Sequence, residues 1–254
     1  MSVRSELKQG YGVMLHVITW KWQQKSMPGA YIAHYVNVMD AMLERNMGGV
    51  HYRHLCITDD DYGVKCNTFP LWTDHSQLTN ASKATLPSCY RRLKLFDPMT
   101  QAQLGINPGD RIVSLDLDSV ITGSLKSLMQ REERFISWAQ RGTYWPLVFN
   151  GSFFMFTAGD LAHIWHDFDP QHSPTLANRR GFMGSDQAWL SMNLVNQKGS
   201  VGIEFPLFAS YPKAIRQLNH LQHDTRIIFF HGRRKPWHEE TQRETPWLKR
   251  YWKE

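Results

Sequence analysis

Cysteine is scarce, with three in 254 residues. Cys56, Cys66 and Cys89 form an odd, sparse set with no C-x-x-C pair, which argues against a disulfide framework and against a cysteine-built zinc site. A reducing, cytoplasmic setting is the natural expectation. Long apolar runs are missing too. No window holds the roughly 18 uninterrupted apolar residues of a spanning helix, so no integral membrane segment is expected, while a peripheral membrane contact stays open. Met1 to Gln9 carry charge with no apolar stretch behind them, and no secretory leader is expected. Internal repeats and low-complexity tracts are absent as well.

What is present is a globular composition, 42% apolar, on a chain long enough for a single domain over 1–254. The net charge is +6 and the sequence pI about 9.2. That balance favours anionic partners such as nucleotide diphosphates, nucleic acid or acidic glycans; the plainer alternative is a solvated basic surface. Two local clusters are sharper. One is Arg233-Arg234-Lys235. The other, Lys249-Arg250-Tyr251-Trp252-Lys253, belongs to a basic aromatic C-terminal tail, 238–254.

Hydrophobic periodicity predicts a first buried strand over Leu15–Trp20, a turn at Pro28-Gly29 and a helix over Tyr31–Arg45. Gly48-Gly49 closes that helix. A second strand over Tyr52–Thr58 runs into Asp59-Asp60-Asp61. Residues 63–80 read as loop, Ala84–Phe96 as a helix with Pro87 near its first turn, and Asn107–Asp110 as a turn. Arg111–Leu115 reads as a third core strand and Phe149–Phe156 as another. Residues 166–182 read as a polar loop, Asp186–Asn196 as a helix and Arg226–Phe230 as a late strand. Strands alternating with helices predict an α/β fold with a mostly parallel central sheet flanked by helices.

The chemistry gathers at Ile112-Val113-Ser114-Leu115-Asp116-Leu117-Asp118. An apolar strand delivers two carboxylates, two positions apart, beyond its carboxyl end, where open α/β sheets bind ligands. Alternate residues of an extended chain point the same way. Asp116 and Asp118 can therefore approach one hard cation, Mn²⁺ or Mg²⁺, that bridges a diphosphate. A surface turn with recurring Asp is the alternative. The same string, Leu115 to Val120, resembles the nucleophile motif of haloacid-dehalogenase-type phosphatases, in which the first Asp attacks phosphorus. That motif normally lies on the first strand, whereas more than a hundred residues precede it here.

A second constellation is His231-Gly232-Arg233-Arg234-Lys235-Pro236-Trp237. Gly232 lets backbone approach a ligand, His231 is a candidate third metal ligand, and Lys235 is a candidate point charge for a departing phosphate. A basic loop with a buried Trp anchor is the alternative. At the end of the first strand, Thr19 and Trp20 are candidates for contact with a nucleobase, with core packing as the competing role. Asp59 and Asp60 suit either a ribose or an acidic turn. Glu204 is a weak candidate for an acceptor-side base.

Several of these segments, in their order along the chain, resemble the glycogenin-like and lipopolysaccharide galactosyltransferase-like retaining glycosyltransferases (family 8-like) of the GT-A nucleotide-diphospho-sugar transferase fold. Gly109–Ile121 resembles their strand and D-x-D region. Phe149-Asn150-Gly151-Ser152 resembles their Asn-rich strand, and Ser185-Asp186-Gln187 their Asp-Gln pair beside the transferred sugar. Gly232–Trp237 matches their Gly-x-x-Lys-Pro-Trp signature, and Tyr90-Arg91-Arg92-Leu93 resembles the helix whose Arg contacts the donor. The resemblance covers roughly residues 15–240. It implies catalytic roles for Asn150, Asp186 and Gln187, and donor binding by Arg92, Asp116, Gly232 and Lys235. It further implies a nucleotide-sugar donor such as a UDP-sugar and transfer with retention. The acceptor stays open between a glycan and nucleic acid, such as a hydroxymethylated base in viral DNA; so does a catalytically silent binding module. The sequence departs from the pattern where the family's metal-binding His should stand. That slot is Phe229, and the nearest His, His231, directly precedes Gly232. The segment after Gln187 also differs, reading Ala188-Trp189-Leu190-Ser191.

Overall fold

The structure, a computed structural model, describes residues 13–22, 31–80, 83–87, 89–142, 145–216 and 220–254. The Pro28-Gly29 turn and the first nine residues lie outside them. The chain runs β1 (Leu15–Lys21), α1 (Ala33–Asn46), β2 (Tyr52–Thr58), β3 (Asn67–Pro70), β4 (Thr79–Asn80), β5 (Lys83–Pro87) and a 3-10 helix (Cys89–Phe96). It continues with α2 (Pro98–Gln103), β6 (Arg111–Leu115), β7 (Ser119–Ile121), α3 (Lys126–Met129), β8 (Phe135–Gly142) and β9 (Trp145–Thr157). Next come α4 (His163–His166), α5 (Ser173–Arg179), α6 (Asp186–Leu194), β10 (Ser200–Ile203), β11 (Phe208–Ser210) and β12 (Ile227–Phe229). Two short C-terminal helices, Glu239–Glu244 and Leu248–Tyr251, follow.

Among the described residues the central sheet has seven strands in the order β10-β8-β9-β6-β1-β2-β3. β6 lies in the middle, and β1 beside it is parallel to both β2 and β6. β9 is the exception to the mostly parallel expectation, pairing antiparallel with β6 and β8. The period-two alternation of the strands splits the core. Val17, Cys56, Val113 and Leu115 join the core on one face, with Val36, Met39 and Leu43 of α1. Ile18, Leu55, Ile57 and Ile112 join the other, with Leu93 and Phe96 of the 3-10 helix. Burial on both faces explains why these strands read as continuous apolar runs. Each such side chain contributes about 1.5–3 kcal/mol.

The predicted strands at Tyr52–Thr58 and Arg111–Leu115 form with those bounds, and β1 extends one residue further to Lys21. The single helix expected over Ala84–Phe96 is instead a strand to Pro87 and then the 3-10 helix. Proline has no N–H for the helix ladder and biases its predecessor away from α geometry. The segment 63–80 contains β3 and β4, and 166–182 contains α5, with Pro174 in its first turn. The turn before β6 is tied by Asp110. Its carboxylate accepts the backbone N–H groups of Met14 (3.1 Å) and Asn107 (2.9 Å), and His16 Nε2 lies 3.0 Å away.

The C-terminal tail is a strap packed across α1. Leu248 and Trp252 are buried in the core. Trp237, just before the strap, stacks on Tyr35 of α1 with ring centroids 4.0 Å apart and lies 5.7 Å from the Trp252 ring. Arg45 donates to the carbonyls of Tyr251 (3.2 Å) and Lys253 (2.8 Å), and Glu254 pairs with Lys65 at 2.7 Å. Among the described residues no helix is long and apolar enough to cross a membrane.

Candidate active site

The site is built at the carboxyl end of β6. The Asp116 backbone N–H donates to the Ser152 carbonyl at 2.9 Å, so the chain beyond β6 stays registered against β9. Two residues later the Asp118 carbonyl accepts the Phe230 N–H at 2.9 Å, which fixes Asp118 against the end of β12. Both carboxylates are held on backbone tied to a neighbouring strand, and both meet a cation.

Arg92 comes from the 3-10 helix. Its Nη1 donates to Asp116 Oδ1 at 2.5 Å and its Nε to Asp186 Oδ2 at 2.7 Å. Burial works against the charge on Arg92, but the carboxylates of Asp186 and Asp116 outweigh it and push the guanidinium pKa up. Asp186 opens α6 and is 1% exposed, so its carboxylate faces Arg92 and Ser185 rather than open space. Gly151 makes the passage for this triad. A Cβ there would stand 2.5 Å from Arg92 Nη2 and 3.0 Å from Asp186 Oδ2. Asp116 is pushed up to about 6 by burial, with Asp118 adding to the rise and Arg92 opposing it.

Lys235 reaches Asp118 from the loop after β12. Its Nζ donates to Asp118 Oδ2 and to the Phe230 carbonyl, the latter at 3.2 Å. Lys235 also lines a cavity of about 920 Å³ with Tyr31, His231, Gly232, Arg233 and Trp237. Gly232 has φ +87°, a conformation that favours glycine. His231 turns its Nε2 to Ser210 Oγ at 2.8 Å, with its ring 5.7 Å from Trp138. Burial, then the charge of Lys213, pushes its pKa down against the pull of Asp118. Phe229, in the slot of the family's ligand, is a core residue stacked on Trp138 at 4.1 Å. Among the described residues no three His, Cys, Asp or Glu side chains stand together as a ready metal cluster.

The remaining candidates are spread around this centre. Asn150 and Gln187 are half-buried. Asn150 Oδ1 accepts the Ser152 N–H at 2.9 Å, and Gln187 Nε2 donates to the Met183 carbonyl at 3.3 Å. Thr19 is fully buried, with its hydroxyl 2.9 Å from His54 Nε2. Trp20 is 4% exposed and donates its indole N–H to Ser114 at 2.8 Å, yet it also lines a recess of about 60 Å³ with Trp22, Tyr31, Cys89, Asp116 and Leu117.

Two residues at the centre, and a buried lysine at the end of β1, carried no signal in the motifs. Tyr31 lies between the cavity and the recess, and burial together with Asp118 and Asp116 pushes its pKa up. Cys89 borders the recess, its thiol pushed up to about 12 by burial. Lys21 is 1% exposed at the end of β1, donating to the Asp60 carbonyl at 2.5 Å and to Thr58 Oγ1 at 3.4 Å. A lysine closing an aromatic strand, opposite Asp59-Asp60-Asp61, was the available signal for it.

No family model matches the sequence, and no curated protein matches it. Solved structures do match. The galactosyltransferase LgtC in complex with donor and acceptor sugar analogues superposes with a TM-score of 0.62 at 14% identity, covering 94% of this chain and 97% of that one. An active-site mutant of LgtC gives 0.61 at 13% identity, with the same coverage of both chains. The glycosyltransferase GlyE of Streptococcus pneumoniae TIGR4 gives 0.53 at 14% identity, covering 90% of this chain and 57% of that one. The chain has the GT-A fold of these glycosyltransferases.

Proposed function

We propose that this chain is a glycosyltransferase that moves a sugar from a nucleotide-sugar donor, in the simplest form a UDP-sugar, to an acceptor hydroxyl with retention at the anomeric carbon. One observation carries the reading: Asp116 and Asp118 meet two buried cations, Arg92 and Lys235, at the carboxyl end of a central strand and beside a cavity of about 920 Å³. Fold and site agree, since ligands of open α/β sheets bind at that end.

Asp116 and Asp118 would hold Mn²⁺ or Mg²⁺. Hard oxygen donors suit either ion, and one or two carboxylates are the protein share such an ion usually takes when substrate phosphates complete its shell. The crowding that pushes Asp116 up to about 6 favours a cation there. His231 would have to give up its hydrogen bond to Ser210 to join them. When bound, the ion neutralises charge on the diphosphate.

In the transfer, the acceptor oxygen forms a bond to the anomeric carbon as the bond from that carbon to the diphosphate oxygen breaks. The acceptor proton passes to the departing diphosphate. Arg92 and Lys235 stabilise the charge that develops there, the kind of preorganised electrostatic effect that dominates many catalysed reactions. Asp186 is a positioning residue that holds Arg92, while Asn150 and Gln187 border the sugar and acceptor. Gly232 brings backbone close to the phosphates. Front-face attack needs no paired-carboxylate nucleophile of the glycosidase kind.

The test is incubation with a panel of nucleotide sugars and Mn²⁺, followed by identification of the nucleotide product. Nucleoside diphosphate released from one donor, and lost in Asp118→Asn, is expected. Phosphate released from a generic ester instead, and lost in Asp116→Asn, would favour the phosphatase reading. No turnover of any donor would leave a binding module.

A further inference from the structure

Three cavities share lining residues in a row. The 920 Å³ cavity beside Lys235 and a recess of about 170 Å³ both use Arg216; that recess and a groove of about 670 Å³ both use Trp247. The row leads away from the site along a second sheet of three strands, β11-β12-β7. Ser119 pairs with Phe229 at the site end and Ile121 with Ile227 at the far end, after which Thr122 donates to the Arg226 carbonyl at 2.8 Å. Three to four residues at roughly 3.3 Å each place the far groove on the order of 10–13 Å from Asp118.

The row is basic at its two ends, and the carboxylates between them are paired with arginine. The far groove is lined by Arg226, Arg250, His220 and His223, with no carboxylate among its lining residues. Trp247 and Tyr251 are half-buried there, with ring centroids 6.2 Å apart and the Arg250 guanidinium 5.6 Å over the Tyr251 ring. The carboxylates nearer the site are engaged: Arg234 holds Glu240 at 2.9 Å and Glu244 at 3.1 Å. At the site end Arg233 is exposed, with no ion-pair partner among the described residues.

We infer that this row of cavities is the groove of a single-stranded nucleic-acid acceptor. The inference rests on the glycosyltransferase reading and names its acceptor class. Arg233, Arg226 and Arg250 would face phosphates, and the rings of Trp247 and Tyr251 would face unpaired bases. Arginines alone serve any polyanion. Arginines beside ring faces select one that carries flat bases, the pairing that sequence-tolerant single-strand binders use. A duplex acceptor would have to release its target base from the stack to reach the anomeric carbon.

The experiment is fluorescence anisotropy of a labelled oligothymidylate, about a dozen residues long to span one such site, with donor hydrolysis measured in parallel. Wild type is expected to bind, and R226Q/R250Q to bind about 10-fold more weakly. The slope of log affinity against log salt should become shallower by about 1.4, two contacts at roughly 0.7 each. Trp247→Ala should cost at least about 5-fold, Trp247→Phe less, and R226K/R250K should retain most of the affinity. Donor hydrolysis should be unchanged in all four, since none of these residues belongs to the donor machinery. Failure of wild type to bind, or binding that R226Q/R250Q leaves intact, overturns the inference. So does equally tight binding of inorganic polyphosphate or an acidic glycan that ignores Trp247→Ala. Oligonucleotide binding through these arginines without hydrolysis of any donor would uphold the groove and sink the transferase reading.

Discussion

Asp116 and Asp118 stand two residues apart, each with its own cation, and the two pairs differ in kind. Arg92 spans two carboxylates through separate nitrogens, and one of its partners, Asp186, is 1% exposed. A planar guanidinium held at two points is pre-organised, and removing it strands a buried charge. Lys235 offers a single ammonium to one carboxylate and one carbonyl, from a loop at the rim of a large cavity. A point charge on a flexible stem can change partners. One side of the site is therefore a fixed frame and the other an exchangeable contact, which on the proposed function would let Lys235 leave Asp118 and follow a departing phosphate.

The contrast is easiest to break with paired substitutions. Arg92→Ala should cost about 3–5 kcal/mol of stability, read from the midpoint of urea unfolding, and abolish turnover with it. Lys235→Ala should lower nucleoside diphosphate release by about 10²–10³-fold with less than half that loss of stability. Equal destabilisation by the two would erase the distinction. Trp252→Ala, which loosens the strap under the Lys235 side, should cost about 3 kcal/mol and leave the Arg92 side intact. Gly151→Ala sharpens the comparison from the other direction. Its new Cβ pushes on Arg92 Nη2, so activity should fall about 10-fold, with about 1–3 kcal/mol of overpacking strain in the unfolding midpoint.

The smallest effect lies far from both cations. Burial pushes the His16 pKa below its ordinary 6.5, against the pull of Asp110. The unfolded chain then binds more protons than the folded one as pH falls below about 6.5, so stability should decline in that range and be retained above it. Thermal unfolding at pH 7.5 and 5.5 should show a smaller drop in His16→Gln than in wild type.

The sequence was most readable where one physical effect dominates. β6 is buried on both faces, as is β2 from His54 onward, and no local preference competes with their apolar residues. The placing of Asp116 and Asp118 was legible for a related reason, since a core strand that ends in Leu115 sets the residues after it down beyond its carboxyl end. Readability failed where long-range contacts decide. β3 is an edge strand with Pro70 at its end, a polar pattern that looks like loop until β2 pairs with it. The basic aromatic tail gave no sign of where Trp252 packs until α1 is seen to receive it. The bond between the Thr19 hydroxyl and His54, from the neighbouring strand, is likewise visible only in the folded chain. Tyr31 gave no motif at all, because its place within the field of Asp118 and Asp116 exists only in the folded chain.

The central claim, that Asp116 and Asp118 together secure a donor diphosphate, is tested most directly by calorimetric titration of UDP in Mn²⁺ into wild type and the D116N/D118N double variant. Saturable, Mn²⁺-dependent binding by the wild type, weakened at least about 100-fold in the variant, a difference of roughly 2.7 kcal/mol, is the expected result. UDP that binds both proteins alike, with or without the metal, would contradict it.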